Sequence, residues 1–207
     1  NFREMGIAAD VWSSHRNVKL RFAYDFLTYL SQGIWSVAIL TNYLTALTSD
    51  LQWVGYVEGM QGICMALISL PAGYVADKFG HKWVLRSSRV AGVAAVTLGV
   101  AGVLLQGPSE FTLVSSSLLM WGVYFGLSNP ALDADFANST SSGTRSSLYT
   151  FQSMTVFFAS GLGPLVNAIL FDTTISDTWT LPELRIVMLV GLSLNIIPVL
   201  LTSFLRS

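Results

Sequence analysis

Gly73-Tyr74-Val75-Ala76-Asp77-Lys78-Phe79-Gly80-His81-Lys82-Trp83-Val84-Leu85-Arg86 is a knot of charge set between two long apolar runs. Glycines open and punctuate it, and an acid followed by bases fills its middle. Apolar segments on both sides predict a tight loop between two membrane helices. Gly80 is placed for a backbone conformation that strains residues carrying a Cβ.

The composition agrees with that placement. Of the 207 residues, 52% are apolar and only 11% are charged, whereas soluble domains carry about 25% charged residues. This is the composition of a multispan membrane protein. A net charge of −1 argues against a nucleic-acid partner. The single cysteine, Cys64, lies in an apolar segment, so neither a disulfide framework nor a cysteine metal site is expected. His15 and His81 are too far apart in sequence to form a metal-ligand motif, and neither a metal nor a cofactor is expected. The first residues are polar and of mixed charge, without the apolar core of a signal peptide. The chain starts at Asn1 instead of methionine, and is expected to be part of a longer protein.

Crossing a hydrocarbon core of ~30 Å takes about 20 apolar residues. Six spans are expected, at 22–46, 53–76, 84–106, 111–132, 148–171 and 185–204. Residues 1–21 form a polar lead-in, and 22–207 form one all-α, polytopic domain. The bases fix its direction. Arg3, Arg16, Lys19, Arg21, Lys78, Lys82, Arg86, Arg89, Arg145 and Arg206 fall on one side; Arg185 alone falls on the other, with Asp50, Glu110, Asp172, Asp177 and Glu183. The N-terminus, the charged stretch and the 133–147 connection are therefore expected in the cytoplasm. Six spans also divide as three plus three. An odd number of spans per unit makes the second enter from the opposite side, as an inverted repeat.

Polar residues distinguish the spans. Span one carries Asp25, Thr28, Gln32 and Ser36 along one helical face. Span four carries Tyr124, Ser128 and Asn129, and span five Ser153, Ser160 and Asn167 at seven-residue intervals. Buried polar groups in lipid need partners or water, so these three spans are expected to face an interior or a cavity, leaving spans three and six for lipid. Small residues line span two (Gly55, Gly59, Gly62, Ala66) and span four (Gly122, Gly126). They fit close helix packing, or a surface on which two halves of a transporter slide.

The charged stretch resembles the loop signature of the major facilitator superfamily: glycine, three residues, acid, base, any residue, glycine and two bases. It falls between spans two and three, where that family keeps it. The matching residues are Gly73, Asp77, Lys78, Gly80 and Lys82, followed by Arg86; His81 stands where the family usually has a base. A second likeness runs from Gly122 to Pro164. It comprises Asn129-Pro130-Ala131-Leu132-Asp133-Ala134-Asp135, then Ser142-Gly143-Thr144-Arg145, then Gly161-Leu162-Gly163-Pro164. The resemblance implies the N-terminal half of a twelve-helix transporter, with the third and sixth helices outermost and a second six-helix half in the same chain or another. It implies that the 73–86 loop latches the two halves on the cytoplasmic side while the cavity faces outward. It also suggests an Asp135–Arg145 pair on that side. Pro164 is expected to kink span five. Two departures matter: Leu118 stands where proton-coupled members often have arginine, and Asn167-Ala168 replaces the Gly-Gly of antiporters. Nothing here favours a proton antiporter.

The expected function is secondary or facilitative transport of a small solute by alternating access, not enzymatic catalysis. Gln32, Ser36, Tyr124, Ser128, Ser160 and Asn167 are the candidate cavity residues. With little buried charge, a neutral or weakly charged solute is expected before a polyanion. Asp25 reads either as an ion pair with Arg21 at i, i+4 or as a coupling site. Glu58 reads either as a side chain reaching water or as a proton or cation site. Trp35 and Trp121 lie deep enough to pack helices or to line a substrate site. The remaining tryptophans suit an interfacial belt, and membrane lipid is an expected partner. The alternative is a membrane binding subunit, assembly subunit or receptor that keeps this fold without transporting. Neither a nucleophile–base pair nor a phosphate-binding loop is visible.

Overall fold

The computed structural model describes residues 16–173 and 179–205. Arg3, Trp12, His15, Asp177 and Arg206, and with them most of the 1–21 lead-in, lie outside the described residues. The described residues form eight α-helices, in order α1 Arg16–Trp35, α2 Ala38–Thr48, α3 Leu51–Phe79, α4 His81–Leu105, α5 Glu110–Asn138, α6 Arg145–Thr173, α7 Leu181–Leu194 and α8 Ile196–Leu201. A short 3-10 turn, Thr202–Phe204, follows α8. Among the described residues there is no strand. Five segments of the described residues are long and apolar enough to cross a membrane: α3, α4, α5, α6 and the run Leu181–Phe204.

The first expected span departs from that pattern. Instead of one helix over 22–46, α1 starts within the lead-in and stops at Trp35, and α2 resumes at Ala38. The break is confined to two residues. Ser36 donates both its backbone N–H and its hydroxyl to Gln32 O, at 2.8 and 2.7 Å, and Val37 leaves helical geometry at φ −86°, ψ −89°. Asn167 Nδ2 donates to Ile34 O at 2.8 Å and so helps satisfy the interrupted backbone. The last span is interrupted more gently at Asn195. Pro198 has no N–H to give Leu194, and Asn195 Nδ2 bonds back to Gly191 O at 3.0 Å.

The charged stretch is tighter than a loop. Gly73–Phe79 completes α3 and His81–Arg86 begins α4, leaving Gly80 as a one-residue joint at φ +89°. The expected glycine geometry is present there. Capping fixes other ends: Asp50 Oδ1 accepts from Gln52 N at 2.9 Å, and Thr180 forms a reciprocal capping box with Glu183. Such caps contribute about 1 kcal/mol each.

The helices pack in an arc. α3 packs on α5, α5 on α4, α4 on α7, α7 on α1 and α1 on α6. Trp121, Tyr43, Tyr124, Leu118 and Met188 fill the middle and are fully buried. α5 approaches α3 through glycines: a Cβ on Gly122 would lie 2.5 Å from Gln61 O, and one on Gly126 2.7 Å from Met65 O. The glycine stripe of α3 itself is not used, because Gly55, Gly59 and Gly62 have nothing within 4 Å of a Cβ.

Coverage within the chain is uneven. The most apolar windows of α4, α5 and the last span are each 44% buried, against 11% for α3 and 17% for α6. Spans two and five, at the two ends of the arc, are therefore the barest, not spans three and six. The small residues of α4 explain part of this. Ala91, Gly92, Ala95, Gly99 and Gly102 seat that helix against α5 and the last span.

Candidate functional site

Two cavities meet at the break between α1 and α2. The first, of about 500 Å³, lies among α1, α3 and α5. The second, of about 750 Å³, lies between the break and α6. Gln32 and Ser36 line both, as does Tyr29. Ser160, Pro164 and Asn167 line the second, so the polar face of span five opens onto a cavity as expected. Glu58 is exposed and lines the first, with Gln61 one turn along the same helix.

Tyr124 and Ser128 do not line either cavity. α5 is rotated so that Trp121, Phe125, Asn129 and Asp133, four residues apart in turn, face the first cavity. Its glycines face α3, which directs Tyr124 and Ser128 into the core. There the Tyr124 hydroxyl lies 3.0 Å from that of Tyr24, and Ser128 is fully buried. Trp35 and Trp121 are both buried. They pack against each other with ring centroids 6.2 Å apart, and they form part of the cavity wall.

At one end of the first cavity, Arg21 holds two carboxylates. Its Nε donates to Asp25 Oδ2 at 2.9 Å and its Nη2 reaches Asp133 Oδ1 at 3.0 Å. Gln152 Nε2 adds a bond from α6 to Asp25 at 2.8 Å. Asp25 therefore sits in a pair with Arg21, and the cluster ties α1 to α5 and α6. The expected pair of Asp135 with Arg145 does not form. Asp135 accepts from Asn17 Nδ2 at 3.1 and 3.2 Å, which fastens α5 to α1. Arg145 turns to the C-terminal end of α5, donating to Ala137 O at 2.9 Å and to Thr140 Oγ1 at 3.3 Å. A cation there satisfies terminal carbonyls and matches the negative end of the helix dipole.

A second polar cluster lies at the opposite ends of the spans. Tyr43 donates its hydroxyl to Glu110 Oε1 at 2.5 Å, and Arg185 donates through Nε and Nη2 to the same carboxylate at 3.0 and 2.8 Å. It joins α2, α5 and α7. Sequence reading placed Glu110 and Arg185 on one side of the membrane without pairing them. Their common position at the start of adjacent-facing spans was the available signal. For Gln152 the signal was an amide inside an apolar run. Asp133 carried only its place beside Asp135.

The charged joint makes few bonds of its own. Among the described residues Asp77 is exposed and has neither an ion pair nor a hydrogen bond. Lys78 lies over Tyr74 and Phe79 at 5.7 and 5.5 Å, and Arg86 over Trp83 at 5.5 Å. Lys82 is exposed. Asp77 stands in the last turn of α3, and Lys82 and Arg86 in the first two turns of α4, so these charges oppose the local helix dipoles.

Pro164 lies within the unbroken helix α6 and cannot donate to Ser160 O. That carbonyl faces α1, where a Cβ on Gly33 would lie 2.9 Å from it. Gly33 and Gly163 form the closest backbone approach between the two helices. No group of metal-binding side chains occurs among the described residues. Comparison with models of known protein families gives no match, and comparison with curated proteins gives none either.

Proposed function

We propose that this chain is a six-helix half of a transporter of the major facilitator type, moving a small solute across a membrane by alternating access. The observation that carries the reading is the first cavity. Polar side chains from three membrane-length or adjoining helices converge on one space of about 500 Å³, within a chain that is otherwise apolar. Such groups are costly in lipid unless they serve a solute, an ion or a partner.

Three features support the details. Writing the spans as one to six, the five most extensive pairings are one–five, two–four, three–four, one–six and three–six; the smaller contacts one–two and two–three have no counterpart of similar extent in four–five and five–six. Exchanging one with four, two with five and three with six turns this set into itself, as a three-plus-three repeat requires. The direction of the repeat, with the N-terminus in the cytoplasm, rests on the distribution of bases. Second, the bare ends of the arc suit a second six-helix unit: α3 exposes Tyr56, Met60, Ile63, Leu67 and Leu70 beside its open glycine stripe, and α6 exposes Met154, Phe157, Phe158, Leu165 and Ile169. Third, charges at the α3–α4 joint that oppose their own helix dipoles suit contacts with that second unit, made in one state and released in the other. Asp77 is the centre of this latch, with Lys78, Lys82 and Arg86 around it.

The test compares cells expressing the full-length protein, its Asp77→Asn variant or neither, at matched surface levels, by profiling small molecules inside and outside. One solute class shifting with the wild type, and less with the variant, supports transport through a latched cavity. Identical profiles across a broad panel overturn it and favour a non-transporting subunit.

A further inference from the structure

The charge and hydrogen-bond inventory of the first cavity selects a class of solute. Among the described residues Arg21 is the only base on its wall, against the three acids Asp25, Glu58 and Asp133. Arg21 is paired with Asp25 and Asp133 at 2.9 and 3.0 Å, so its charge is already matched within the wall, although its Nη1 is a further donor without a hydrogen bond. Glu58 is different: it is exposed and has no partner among the described residues. With all acids ionised, the wall carries two net negative charges. A solute cation relieves that excess, a neutral solute leaves it, and an anion adds to it.

A second observation is independent of charge. Thr28 Oγ1, Trp35 Nε1 and Trp121 Nε1 belong to wall residues, are enclosed by protein, and make no hydrogen bond. Enclosed polar atoms without partners are few in folded proteins. The two indole N–H groups are donors only, so what they lack is an acceptor. Tyr29 and Phe125 add partly open aromatic rings to the same wall, and aromatic faces attract organic cations within about 6 Å.

We propose that the first cavity takes a small organic cation that also carries a hydrogen-bond-accepting oxygen, with Glu58 as its counter-charge and the Trp35–Trp121 wall as the donor side. This rests on the solute-cavity reading above and adds the chemical class. Binding and flux are measured separately, so that the two readings can fail separately.

The experiment uses the full-length protein in lipid nanodiscs, with acetylcholine and its uncharged carbon isostere, 3,3-dimethylbutyl acetate, as probes followed by thermal shift and titration. The two have the same shape and the same ester and differ in charge. Acetylcholine is expected to bind at least about tenfold more tightly. Glu58→Gln is expected to remove that preference, and Glu58→Asp to retain most of it. Because Glu58 is exposed and unpaired, both variants are expected to melt with the wild type. Equal affinity for the two probes, tighter binding of the isostere, or no binding of acetylcholine overturns the proposal, as does a preference unchanged in Glu58→Gln. Flux of some other solute without cation preference would leave transport standing and sink this inference. Cation binding with no flux of any solute would do the reverse.

Discussion

Replacing Gly163 by alanine tests how α1 and α6 are held together. A Cβ at this position would run into the Gly33 backbone, with Gly33 O at 2.6 Å and Gly33 Cα and C nearer still. Ordinary contact begins near 3.4 Å, so the helices must part by at least about 0.8 Å along that line, and backbone cannot rotate away as a side chain can. Overpacking of this kind costs typically ~1–3 kcal/mol. The crossing also sits where Asn167 reaches Ile34 O at 2.8 Å, so parting the helices strains a bond that serves the α1–α2 break. Gly161 is the control on the same helix, since a Cβ there meets nothing within 4 Å. Alanine at 161 adds helix propensity worth up to about 1 kcal/mol. Melting of the full-length protein in nanodiscs should therefore fall for Gly163→Ala and hold or rise for Gly161→Ala. Equal melting of the two variants refutes the crossing.

Three further perturbations separate packing from solute contact. Glu110→Gln removes the charge that Arg185 and Tyr43 share, in a site where the Arg185 side chain is only 16% exposed. Leaving a buried cation unpaired costs ~3–5 kcal/mol, and the lower end applies here because Arg185 retains some access to water; a melting temperature unchanged from wild type would contradict the cluster's role in joining α2, α5 and α7. Tyr124→Phe should cost about 1 kcal/mol of stability through loss of the bond to Tyr24, with the half-saturation concentration for solute flux unchanged. Gln32→Ala, on the wall of both cavities, should raise that concentration roughly tenfold, the equivalent of a hydrogen bond of ~1.4 kcal/mol. Equal effects of the two on flux would count against the observed rotation of α5.

Much of the helical layout was legible in the sequence because length and apolarity alone decide whether a segment spans. Gly80 was legible for the same kind of reason: one residue had to turn the chain between two spans, and glycine does so at positive φ. Helix rotation was harder. Tyr124 and Ser128 are as polar as Asn129, and only the glycines' demand for α3 tells which side of α5 faces inward. The break after Ser36 lies in the backbone of Val37, at φ −86° and ψ −89°, in an apolar and β-branched stretch that carries no glycine or proline to announce it. Ion pairs were legible at short separation and not otherwise. Arg21 with Asp25 follows from helical spacing, whereas Arg185 with Glu110, like the Asn17–Asp135 hydrogen bond, requires the packing of distant helices. Arg145 shows the converse: an acid close in sequence was less attractive than the end of the helix before it.

Alternating access through the α1–α2 break is the central claim, and thiol accessibility tests it most directly. In a background of the full-length protein with every cysteine, Cys64 included, replaced by serine, cysteine is placed at Gln32 or Ser36 and challenged with a membrane-impermeant thiol reagent from each side in turn. The account predicts labelling from both sides in both variants, with Asp77→Asn changing the ratio between the two. Labelling confined to one side, whatever the variant and whatever solute is present, would contradict it.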